Sequence, residues 1–93
     1  MTEYRFHWLL ARTTGMLLPA ISLEAESRLH GAALALREFR QHGCDLATPL
    51  AHLDVTTPSG AHQTLLVGEV LDWLNDPAQV DFVRREGLAI LTQ

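Results

Sequence analysis

Ninety-three residues are enough for one domain and too few for two, and 47% hydrophobic with 19% charged side chains is the balance of a folded chain. Eleven acids against seven bases leave a formal charge of -4, and every base is an arginine (Arg5, Arg12, Arg28, Arg37, Arg40, Arg84, Arg85). That excludes lysine Schiff-base chemistry and argues against nucleic acid, whose phosphates demand a concentrated positive field.

Residues 3–12 alternate, with Tyr4, Phe6, Trp8 and Leu10 on one face and Arg5, His7, Leu9 and Ala11 on the other. This period of two predicts an aromatic-rich strand. Thr13-Thr14-Gly15 supplies a turn, and residues 16–24 read as a second strand with Leu17, Ile21 and Leu23 on one side. Pro19 has no ladder donor, so that strand is expected at an edge or bulged.

A helix follows, with Ser27 as its N-cap and Gly43 where a left-handed stop is wanted. Leu29, Ala32, Ala33, Leu36 and Phe39 recur at helical spacing as the buried stripe, while Arg28, Arg37, Glu38 and Gln41 fall on the wetter side. Gly31, beside Ala32 and Ala35, predicts close approach to the sheet or to a partner. Leu34 lies off the stripe and is assigned to an interface.

Residues 44–49 form a loop and 50–57 a third strand. Thr57-Pro58-Ser59-Gly60 then predicts a three-residue hairpin loop closed by a glycine bulge. The return strand runs over 61–67, and 69–74 is helical with Val70, Leu71 and Leu74 inward. Trp73 is a helix anchor or, where exposed, part of a binding surface. Asp76-Pro77 opens a last helix that carries Val80, Phe82 and Val83 inward and stops at Gly87. Residues 88–91 are a closing strand or a packed tail. The expected fold is α+β in the order β-β-α-β-β-α-α, a single domain over 1–93. Its antiparallel sheet has about four strands, with the helices on one face.

The predicted hairpin opposes Thr56 to His62 and Asp54 to Thr64. It thereby gathers His52, Asp54, Thr56, His62 and Thr64 on one face and Leu53, Val55 and Leu65 on the other. His52, Asp54 and His62 are the candidate metal ligands, and the same set could position a general base; the alternative is a solvated outer face. His42 belongs at the C-terminal end of the first helix, where an imidazolium meets the negative end of the dipole. Cys44 follows that same end and reads as a half-buried structural thiol. Tyr4, Phe6 and Trp8 are expected to pack on the first helix, the alternative being an exposed aromatic interface.

Cys44 is the only cysteine and cannot form an internal disulfide. No basic-plus-apolar leader opens the chain, and the longest apolar run, 16–21, is far too short for a bilayer. The expected setting is the cytoplasm, with no membrane contact. No sequence motif calls for a cofactor. Two functions stay open: a non-enzymatic interaction or regulatory module that associates with a protein partner or with itself through Leu34 and Trp73, and a small metal-binding protein or enzyme using His52, Asp54 and His62.

Overall fold

The computed structural model describes residues 1–9, 20–43 and 52–91. The elements are β1 (Thr2–Leu9), β2 (Ile21–Ala25), α1 (Arg28–Gln41), β3 (His52–Thr56), β4 (His62–Leu66), α2 (Val67–Leu74) and α3 (Val80–Glu86), with 3₁₀ turns at Pro77–Gln79 and Ala89–Leu91. Strand order is β2-β1-β3-β4 and every pairing is antiparallel. The expected α+β architecture is therefore the observed one. Since β2 and β3 both run against β1, they are parallel to each other, and α1 crosses over β1 to connect them. It packs against β1, β2 and β3 on one face of the sheet.

Burial follows the strand period. Phe6, Leu53, Val55 and Leu65 point into the core beneath α1, joined there by Ala32, Ala33, Ala35, Leu36 and Phe39. Tyr4 and Trp8 flank Phe6 half-buried, with Trp8 stacked 5.6 Å from Phe39, so the aromatic face of β1 is covered by the helix. Val67, Val70 and Leu74 of α2, Phe82 of α3, and Leu88 and Leu91 of the tail close the same cluster.

Local signals account for most boundaries. Ser27 caps α1, its Oγ accepting the His30 N–H, and Gly43 (φ 91) follows the C-cap residue His42. Gly31 is where the helix touches the sheet: an added Cβ would lie 2.8 Å from Phe6 Cζ and 3.3 Å from Ala25 Cβ. Asp76 caps the Pro77–Gln79 turn by accepting from the Ala78 N–H, and Gly87 (φ 66) ends α3.

Four expectations needed correction. The α1 stripe is broader than expected, with Gly31 and Ala35 buried and Leu29 only half-buried. Helix α2 begins at Val67, directly from β4, because Val67, Val70 and Leu74 bury one helical face. Val80 points outward, 49% exposed, since Phe82 takes the inward direction and two helical residues are separated by about 200°. The second strand starts at Ile21, with Ala20 outside it; the turn at 13–15, Pro19 and Cys44 lie outside the described residues.

Candidate functional site

The face of the sheet opposite α1 carries the polar half of each strand. Glu3, Arg5 and His7 of β1 share it with Ser22 and Glu24 of β2, His52, Asp54 and Thr56 of β3, and His62, Thr64 and Leu66 of β4. The registers arrange these residues in rows. One row crosses all four strands as Ser22, Arg5, Thr56 and His62; another reads His7, Asp54 and Thr64.

The hairpin behind these rows forms as its turn residues dictate. Gly60 (φ 88) donates to the Thr57 carbonyl and the Thr57 N–H donates to the Ala61 carbonyl, giving the three-residue loop and glycine bulge. That loop sets the side-chain parity, so Asp54 and His62 fall on one face. His62 Nδ1 lies 3.3 Å from Asp54 Oδ2 and 3.2 Å from Thr56 Oγ1. As a carboxylate, Asp54 can only accept, so this contact is a hydrogen bond when the proton is on Nδ1. This carboxylate–histidine pair can orient one imidazole as a ligand or base. His52 is on the same face but opposite Leu66, one strand repeat from Asp54. Among the described residues, no three His, Cys, Asp or Glu side chains are grouped to hold a metal ion.

Leu34 and Trp73, the expected interface residues, are both half-buried against the core. Trp73 belongs to a ring cluster: its centroid is 4.8 Å from His30 and 5.9 Å from Phe82, and His30 is 4.6 Å from Phe82, all edge to face. His30 Nδ1 in turn lies 2.7 Å from Ser27 Oγ, so the capped start of α1 fixes the ring against α2 and α3. The three-residue spacing of Ser27 and His30 was the sequence signal for this contact. Leu34 lines a groove of about 390 Å³ with Ala25, His30 and Phe82 on its floor and Glu24, Glu26 and Arg85 among its charged walls.

The strand edges differ in a way that composition alone did not bring forward. Because Thr57 and Ala61 form a hydrogen-bonded pair, antiparallel alternation assigns the next such pairs to Val55–Gln63 and Leu53–Leu65. Among the described residues no strand lies beyond β4, so the N–H and C=O groups of His62 and Thr64 and the N–H of Leu66 are directed away from β3, while the Leu66 C=O accepts the first bond of α2. Their side chains are exposed, and among the described residues Leu66 is one of the few exposed large apolar side chains, 47% exposed. This edge has no acid, arginine, proline or bulge from His62 to Leu66, whereas the opposite edge strand carries Glu24 beside Glu3. Natural sheets blunt their edges with such charges.

No family model, curated protein or solved structure matches this chain. Among the described residues no helix is long and apolar enough to cross a membrane.

Proposed function

We propose that this chain is a non-enzymatic protein-interaction module that self-associates. The observation supporting the reading is the outer edge of β4, which carries no acid or arginine, a row of outward backbone donors and acceptors ending in the exposed Leu66. An edge of this kind is a template for strand addition, in which main-chain hydrogen bonds supply affinity and alternate side chains supply selectivity. A chain of this size also has a modest core of its own, and association is a common way to bury more surface. Sedimentation equilibrium of the full chain, run from low to high micromolar concentration, tests this. A mass that rises toward two copies is expected, and a single-chain mass throughout overturns self-association.

A second reading, metal binding or acid–base chemistry by His52, Asp54 and His62, has the Asp54–His62 contact in its favour. It requires zinc or nickel to be retained by the purified protein and lost on His62→Ala. Equal, negligible metal in wild type, His52→Ala and His62→Ala removes the metal form of that reading.

A further inference from the structure

Granting self-association, we infer that the partner is β4 of a second copy, paired antiparallel about a two-fold axis at Thr64. The inference deepens the preceding reading and rests on it.

Three features of β4 make it complementary to itself. First, its outward groups belong to alternate residues, so an antiparallel copy centred on Thr64 brings each Thr64 N–H to the other Thr64 carbonyl and each Leu66 N–H to the other copy's His62 carbonyl, the Leu66 carbonyl being held by the first turn of α2. Thr64 pairs with its own counterpart, and His62 pairs with Leu66 of the other copy. Second, the strand carries no acid or arginine, and the register sets His62 opposite Leu66, so apposing it with itself brings no like charges face to face. The same operation on β2 would place Glu24 near its symmetry mate, with Glu3 already alongside. Third, the axis stands perpendicular to the sheet. Both copies therefore keep their helices on one side and form one continuous sheet, and the polar rows of both face the same way. Across the axis Thr64 meets Thr64, a favourable cross-strand pair, and the exposed Leu66 is covered by the His62 ring.

Thr64→Pro tests the arrangement. The Thr64 N–H points out of the monomer, so proline there removes no bond of the β3–β4 ladder, and edge positions tolerate it. In the dimer it deletes both Thr64-to-Thr64 bonds. The dissociation constant should rise about tenfold or more, the equivalent of two net hydrogen bonds. Ser22→Pro, at the matching outward position of β2, should leave it unchanged. A second probe does not depend on proline being accommodated. In a Cys44→Ala background, Thr64→Cys should cross-link under mild oxidation because paired Cα atoms lie about 5.5 Å apart, within disulfide reach. Ser22→Cys should not. A wild-type dimer that withstands Thr64→Pro, or that cross-links through position 22 rather than 64, overturns the β4 pairing and leaves self-association standing. A wild-type monomer overturns both and leaves the edge to a strand from a different protein.

Discussion

Gly31 carries the closest contact between the layers, and its effect is a contest between two terms. Alanine is a better helix former than glycine by about 1 kcal/mol. Its Cβ, however, would arrive 2.8 Å from Phe6 Cζ, and Phe6 is fully buried in the core. Overpacking in a filled core costs about 1–3 kcal/mol, so Gly31→Ala should be a net loss of about 1 kcal/mol, read from the denaturant midpoint at constant slope. Phe6→Leu shortens the opposing side chain. The double variant should therefore be less destabilised than the sum of the singles, a coupling that a propensity effect alone would not produce. His30 and Ser27 make a related point. A cap that looks local also fixes a ring against Trp73 of α2 and Phe82 of α3.

Within the β3–β4 hairpin, Gly60 has φ 88, a left-handed conformation that costs an L side chain about 1–2 kcal/mol, and open space around it leaves no steric confusion. Gly60→Ala should lower stability by about that amount. If β4 is the association edge, it should also weaken the dimer, measured on the same sample by sedimentation. This hairpin was the most legible part of the chain. The Thr57–Gly60 turn fixes loop length, loop length fixes parity, and parity puts Asp54 and His62 on one face, as period-two patterning required. Other contacts were less visible. His7 lies opposite Asp54 only because β1 pairs with β3, strands far apart in sequence whose contact no local pattern encodes. The start of α2 was blurred because Leu65-Leu66-Val67 is continuously apolar and reads equally well as strand or helix. The half-burial of Leu34 and Trp73 depends on where β2, α1 and α3 meet around them, which helical spacing alone leaves open.

At the scale of the whole molecule, the two tryptophans report on different neighbourhoods of one packed cluster. Trp8 lies on the sheet against Phe39 of α1, and Trp73 lies against both His30 of α1 and Phe82 of α3. Three links argue that these neighbourhoods unfold together: β4 runs into α2 without a loop, α1 lies against both the sheet and α2, and Arg37 of α1 donates to the Glu86 carbonyl at the end of α3. A guanidinium at that position also meets the negative end of the α3 dipole. Tryptophan fluorescence of Trp73→Phe and Trp8→Phe, each leaving one reporter, should therefore give coincident denaturation midpoints that also match the far-ultraviolet circular dichroism. Coincidence of probes is the signature of an all-or-none transition. If the chain self-associates as proposed, both midpoints should also climb together with protein concentration, because association would stabilise only the folded chain. An earlier Trp73 transition would instead make α2 and α3 a separately melting unit, and the contacts through His30 and Arg37 would then be too weak to couple them to the sheet.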